Sequence, residues 1–394
     1  MRLLVYSNMT PVAVYLHVPF CSTKCTYCAF NTYIQLEHLI EPFVTALIAE
    51  IRLVGRSQPG LDVHTIFFGG GTPSLLTPEQ YARIFAALRE VYNIYPGAEI
   101  TLEANPNDLH RDYTTALRQV GFNRISIGMQ SANENELQLF RRRHDNDAVA
   151  RAVTAARAGG FANLNLDLIY GIPHQTLDGW RNTLTQTVAL KPEHISLYAL
   201  GLEEGTAMDH WVNTGRLPAP DDDLAADMYD LATEVLGAAG YDQYEISNWA
   251  RPGYACRHNL QYWRNLPYLG FGPGAHGFAG GARYSVLLSP QRYIKLLQDV
   301  SEDYQFPRAP VTEMFDPVTR EGEIADTLIM GLRLVREGID RETFRQRFGV
   351  DLLDVHRAAI DRFTASGLLS VTDERVTLTD QGRLLSNIVF RELV

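Results

Sequence analysis

AVYLHVPFCSTKCTYC, residues 13–28, is an apolar run that ends in three cysteines. Its length and its β-branched and aromatic content read as a strand. Comparable runs follow at HTIFFGGG (64–71), AEITLEANP (98–106), RISIGMQS (124–131), NLNLDLIYG (163–171) and HISLYALGL (194–202). Between them lie amphipathic helical stretches such as PEQYARIFAALREVY (78–92) and the segment 108–121. Strands alternating with helices predict parallel βαβ units. Six such units fit an open (β/α)6 partial barrel. A closed eight-stranded barrel needs two more, and the pattern fades after residue 202.

Polar residues gather where these strands end: Cys21, Gly69 to Thr72, Glu103, Gln130 and Asp167. In parallel α/β barrels this rim is where chemistry is built. Cys21, Cys25 and Cys28 have the spacing C-x3-C-x2-C, and Phe30 sits where a further cysteine would be expected. Thiolates suit zinc or iron–sulfur clusters. A structural zinc site wants four closed ligands, and a [4Fe–4S] cluster normally takes four cysteines. Three cysteines leave one iron open to a non-protein ligand, such as the amino and carboxylate groups of S-adenosylmethionine (SAM). The alternatives are a zinc site completed by Cys256, or reduced thiols without a ligand.

The bulk properties set outer limits. A chain of 394 residues exceeds one compact core and predicts two or three domains. With 46% hydrophobic and 21% charged residues it has an ordinary globular balance. A net charge of −11 argues against a general nucleic-acid binder. MRLLVYSNMT at the start lacks the apolar core of a signal peptide, and no run approaches the ~18 apolar residues of a membrane span. Four cysteines in such a length are no disulfide framework. The expectation is a cytoplasmic protein.

Three segments are expected: a barrel core over 1–215, an extension over 216–319, and a C-terminal domain over 320–394. LPAPDDD (217–223) reads as the linker into an acid-capped helix. The last segment reads helix–helix–helix–hairpin, in EGEIADTLIMGLRLV, DRETFRQRFG, LLDVHRAAIDRFTASG and LLSVTDERVTLTD, with a turn around Gly338. That is a small, mainly helical, winged-helix-like arrangement. Residues 320–394 hold 11 Arg, no Lys and 13 acidic residues, a net of −2, with Asp351, Asp354 and Asp361 on the would-be recognition helix. Phosphate contact needs clustered basic residues, so a lid or partner-docking role is expected. Leu328, Ile329, Leu332 and Leu334 read as its core or as a barrel contact.

The cysteine motif on a partial barrel resembles the radical SAM superfamily. HVPFC, FFGGGTPS, EANP, ISIGMQS, DLIYGIP, YEISNWA and LTDQGRLLSN are similar to the oxygen-independent coproporphyrinogen III dehydrogenase family and its relatives. The resemblance implies a [4Fe–4S] cluster on Cys21, Cys25 and Cys28. It implies SAM contacts at Tyr15, Tyr27, Gly70, Gly71, Thr72, Glu103, Gln130, Arg142, Asp167 and Ala199. Glycines let backbone approach a ligand closely, although a tight turn would use them too. Glu103 can hydrogen-bond the ligand, Asp167 its ribose hydroxyls, and Arg142 its carboxylate through a planar fork. Glu103 and Asp167 would also serve as loop or helix caps, and Arg141 and Arg143 flank Arg142.

Two departures separate this chain from the dehydrogenases. They resemble C-x3-C-x2-C-x-C, where this chain has Phe30, and they carry a longer segment before the first strand. CRHNLQYW (256–263) contains H-N-x-x-Y-W, which resembles the signature of HemW-type heme chaperones. That resemblance implies heme at His258, Asn259, Tyr262 and Trp263. Imidazole is a common axial ligand, and Tyr and Trp offer flat apolar faces. Cys256 is an alternative ligand, and His276 in GPGAHGF is left unassigned. The implied function is a heme chaperone that holds a cluster, SAM and heme and delivers heme to apo-hemoproteins. A membrane-associated acceptor is compatible with this, although the chain shows no transmembrane segment of its own. A flavodoxin or ferredoxin is the implied reductant. The competing readings are a coproporphyrinogen III dehydrogenase and another radical SAM enzyme.

Overall fold

The computed structural model describes residues 10–298 and 304–393, so the expected absence of a leader in MRLLVYSNMT lies almost wholly outside the described residues. The chain begins with six βα steps. They are β1 (Val12–Val18), α1 (Ile40–Ser57), β2 (Asp62–Gly70), α2 (Pro78–Val91), β3 (Asn93–Ala104), α3 (Arg111–Val120) and β4 (Arg124–Gln130). Two helices follow β4, α4 (Glu134–Leu139) and α5 (Asn146–Ala158), before β5 (Leu164–Tyr170), α6 (Leu177–Ala189) and β6 (His194–Ala199). Neighbours from β1 to β6 pair in parallel and in sequence order, the expected (β/α)6 core.

Local chemistry places these helices. Before α2, Thr77 and Gln80 make a reciprocal capping box and Pro78 occupies the first turn. The outward residues of the strands pack on the helices. Phe68 of β2, for example, meets Tyr81, Phe85 and Phe122 edge-on, with centroids 5.0, 5.6 and 5.3 Å away. The inward residues follow a two-residue period and are polar: Ser126 on β4, Asn165 and Asp167 on β5, His194 and Ser196 on β6. They are joined by hydrogen bonds along β5 and between it and its neighbours β4 and β6.

The next segment adds to the same sheet. After α7 (Ala207–Asn213) and α8 (Asp222–Ala238), β7 (Asp242–Glu245) and β8 (Asn248–Ala250) extend it antiparallel beyond β6. Then come α9 (Arg257–Trp263), β9 (Tyr268–Phe271), β10 (His276–Ala279), β11 (Ala282–Val286), α10 (Pro290–Leu296) and β12 (Thr312–Pro317). β9 lies parallel to β1, and β10 to β12 continue antiparallel, so the order of the twelve strands is 12-11-10-9-1-2-3-4-5-6-8-7. One hydrophobic core runs from Val12 to Val311.

A second, smaller core runs from Ile324 to Leu393. It lies in the winged-helix-like domain, with α11 (Arg320–Leu332), β13 (Ile339–Asp340), α12 (Arg341–Phe348), α13 (Leu352–Val355), α14 (Arg357–Ala365) and the hairpin of β14 (Leu369–Val371) and β15 (Arg375–Leu378). Leu328 and Leu332 belong to this core, Ile329 packs against it, and Leu334 is buried. Among the described residues no helix is long and apolar enough to cross a membrane.

Candidate functional site

The loop after β1 carries Cys21, Cys25 and Cys28, all partly exposed and none in a disulfide. Tyr33 N–H donates to Pro19 O at 2.7 Å, and Cys21 N–H donates to Tyr33 O at 2.9 Å. Thr26 donates from its backbone N to Phe140 O at 3.2 Å and from its hydroxyl to Leu139 O at 2.8 Å, which ties the loop to the end of α4. Two donors reach the sulfurs. Thr72 Oγ1 is 3.5 Å from Cys21 Sγ, and Arg142 Nη1 is 3.5 Å from Cys25 Sγ. The Thr72 donor favours a thiolate at Cys21. Burial opposes this and pushes the Cys21 thiol above the usual range.

Among the described residues, no three His, Cys, Asp or Glu side chains converge closely enough to hold one metal ion. Cys256 cannot complete a zinc cage, since its buried Sγ donates to Glu99 Oε1 at 3.4 Å. Glu99 sits four residues before Glu103 on β3, roughly 13 Å down the strand. Three thiols on one rim loop suit an iron–sulfur cluster.

Around the loop stand the strand ends. Gly70 has φ +110°, and a Cβ there would lie 2.5 Å from the His17 ring. A Cβ on Gly71 would lie 2.5 Å from Phe20 O, so only glycine lets β2 pass this close to the cysteine loop. Gly70 N–H donates to Glu103 Oε2 at 3.1 Å. Burial, and then the neighbouring Asp167, push the Glu103 carboxyl up to about 8. Burial also raises Asp167, against hydrogen bonds from Ser126 Oγ at 2.8 Å and Asn165 Nδ2 at 2.7 Å. Two buried carboxyls side by side favour a cationic or hydroxyl-rich ligand.

Arg142 supplies the opposite charge. Its Nη2 donates to Gly128 O at 2.8 Å, while its buried Nε finds no acceptor among the described residues. Gln130 ends β4 with φ +66°, a conformation rare outside glycine and common at ligand sites. Tyr15 hydroxyl and His17 Nδ1 are 3.0 Å apart, and His17 Nε2 meets Asn31 O at 2.9 Å. Tyr27 packs edge-on against Phe140, with centroids 4.7 Å apart. Ala199 is the exposed last residue of β6. The rim thus combines thiols, buried carboxyls, a buried guanidinium and exposed backbone, a set that suits a cluster beside a zwitterion carrying hydroxyls. His17, Asn31, Ser126 and Asn165 are supports that the sequence reading missed. For Ser126 and Asn165, the signal was polar residues at two-residue spacing inside apolar strands.

The H-N-x-x-Y-W segment forms α9. His258, expected as a heme ligand, is buried, with Nδ1 2.9 Å from Thr65 Oγ1 and Nε2 2.8 Å from Tyr262 Oη. Its ring stacks on Phe67 at 5.1 Å, and desolvation pushes its pKa down to about 3. Both of its ring nitrogens are engaged by protein hydroxyls. Asn259 is half-buried. Tyr262 and Trp263 instead line a cleft of about 850 Å³, together with Lys24, Phe30, Tyr33 and His276. The Arg333 guanidinium lies 4.6 Å from the Trp263 ring, whose buried Nε1 has no acceptor among the described residues.

Comparison with known proteins bears on this geometry. The radical SAM superfamily matches residues 15–186, and the HemN C-terminal domain family matches residues 318–385. A heme chaperone HemW of Mycobacterium tuberculosis is 38% identical, over 98% of this chain and 95% of its own. A heme chaperone HemW of Bacillus subtilis is 34% identical, over 96% of this chain and 98% of its own. Among solved structures, coproporphyrinogen III oxidase (HemN) of Escherichia coli, a radical SAM enzyme, superposes with a TM-score of 0.83 at 24% identity, over 98% of this chain and 90% of that one. At that identity the likeness speaks for the fold.

Proposed function

The chain belongs to the radical SAM superfamily and, within it, to the HemW heme chaperone family, and on that premise we propose that it binds heme and delivers it to apo-hemoproteins. The observation that carries this reading is adjacency. Residues 29–33 of the cysteine loop form one wall of the aromatic cleft, and Tyr262 and Trp263 form another. Phe30 is 69% exposed at that wall, an apolar face turned to the cleft rather than a further thiol.

In this reading Cys21, Cys25 and Cys28 hold a [4Fe–4S] cluster with one iron open to SAM. When bound, cluster and SAM supply one-electron chemistry of their own. The protein's part is to bind and orient. Gly70 and Gly71 keep backbone at the ligand, and Glu103 accepts from its ammonium. Arg142 holds its carboxylate while shielding Cys25. Asp167, braced by Ser126 and Asn165, takes ribose hydroxyls. Tyr15, Tyr27, Thr72, Gln130 and Ala199 complete the wall. A flavodoxin or ferredoxin is the proposed reductant, and the cytoplasm the proposed compartment.

The test is direct. Anaerobically reconstituted protein should carry about four irons on three cysteines. It should bind heme near one per chain and leave coproporphyrinogen III with SAM unconverted. Cys28→Ala should lose the iron, and Cys256→Ala should keep it. Robust SAM-dependent formation of protoporphyrinogen IX would replace this reading with the dehydrogenase.

A further inference from the structure

Resting on that reading, we propose that the cleft between the cysteine loop and α9 is the heme seat, and that His276 is the axial ligand, with His258 holding the cleft wall from behind. His276 opens β10, is exposed, and lines the cleft. Its ring makes no hydrogen bond with the described residues. It therefore differs from the other two histidines nearby. His17 is spent on Tyr15 and Asn31, and His258 on Thr65 and Tyr262. An unclaimed imidazole on an accessible wall is what an axial position needs.

The rest of the cleft matches a flat, apolar ring with anionic edges. Its volume of about 850 Å³ falls within the usual span for ligand and cofactor sites, on the order of 300–1,000 Å³. Phe30, Tyr33, Tyr262, Trp263 and Leu288 supply apolar faces. Lys24, exposed, offers an ammonium to a carboxylate, and among the described residues its hydrogen-bond partners are Phe30 O at 3.3 Å and Thr32 Oγ1 at 2.7 Å. Both partners are neutral, so the ammonium can take a propionate in a charge-assisted bond.

The same cleft is fastened to the cysteine loop. Asn31 Nδ2 donates to Pro273 O at 2.9 Å and to Leu288 O at 3.0 Å, and Tyr33 hydroxyl donates to Leu288 O at 3.1 Å. Pro273 lies three residues before His276, so the cluster-bearing loop fixes the segment that presents the imidazole. His258 has a different role. Its bond to Tyr262 Oη orients that ring, which meets Tyr268, also on the cleft, edge-on at 4.5 Å. It is a positioning residue.

The test titrates ferric heme into the full-length, anaerobically reconstituted protein and reads the Soret band and the heme EPR signal. His276→Ala should change the ligand-field signature and weaken binding at least about tenfold, and free imidazole should restore the wild-type signature. The cluster spectrum should be unchanged, which reports an intact fold. His258→Ala should weaken binding while keeping the imidazole-ligated signature, and Tyr262→Phe should resemble it. A wild-type signature in His276→Ala would overturn the assignment while leaving the chaperone reading in place. So would a changed signature in His258→Ala alone. Absence of heme binding by the wild type would overturn both.

Discussion

Arg141, Arg142 and Arg143 send their guanidinium groups to three places. Arg141 lies 5.6 Å from the Trp211 ring, Arg142 reaches Cys25 and Gly128, and Arg143 pairs with Asp108 at 2.9 Å. Only the middle one enters the rim, because Arg141 adopts φ +55° and turns the chain there. Arg142→Ala should therefore weaken the change that SAM makes in the cluster EPR signal by about 1.5–3 kcal/mol, the worth of a charge-assisted hydrogen bond. Arg143→Ala, which breaks only the pair with Asp108, should leave the SAM titration where it was. A reversed pattern would move the carboxylate contact by one residue.

At the scale of elements, α1 carries a charge inward. Glu50 is fully buried, and its Oε2 accepts from Tyr293 hydroxyl at 2.6 Å and from Gly272 N–H at 2.9 Å. Burial pushes this carboxyl up to about 7, against those two donors. The folded state therefore holds a proton that the unfolded chain releases near 4.5. The stability tied to that proton is complete below about 4.5 and is lost as pH rises through about 7. Relative to Glu50→Gln, the wild type should lose about 2.5 kcal/mol between pH 5 and pH 8 in urea denaturation. A difference that stays flat with pH would show the carboxyl already ionised.

The six parallel strands were legible because each is an apolar run between turn signals, and β4 and β6 begin where the pattern began, at Arg124 and His194. The outer strands were not. β8 and β9 are only three and four residues long, and β9 finds its partner at Ala13–Leu16, a pairing no local pattern encodes. The cysteine loop and strand ends could be located from order along the chain. The state of His258 could not, because its partner Thr65 lies 193 residues away.

Seen whole, the C-terminal domain spans the open sheet. On one flank Asp326 of α11 pairs with Arg283 of β11 at 2.7 Å, and Thr327 Oγ1 accepts from Asn265 Nδ2 at 3.0 Å. On the other, Arg336 pairs with Asp242 of β7 at 2.7 Å, and Val335 N–H donates to Tyr244 O at 3.2 Å. Arg283–Asp326 is half-buried, whereas Arg336–Asp242 is exposed. Asp326→Ala should thus cost about 1–3 kcal/mol in urea denaturation, and Asp242→Ala less than about 0.5 kcal/mol. Equal losses would mean that the two flanks share the load evenly.

That bridge also sets an order in time. Residues 320–393 follow every strand of the large sheet, so synthesis from the N-terminus completes both flanks before the piece that joins them exists. Until then the sheet is an unfastened cuff, with β12 exposed at one of its two edges. The cuff can close only after the ribosome has delivered the last domain and that domain has folded.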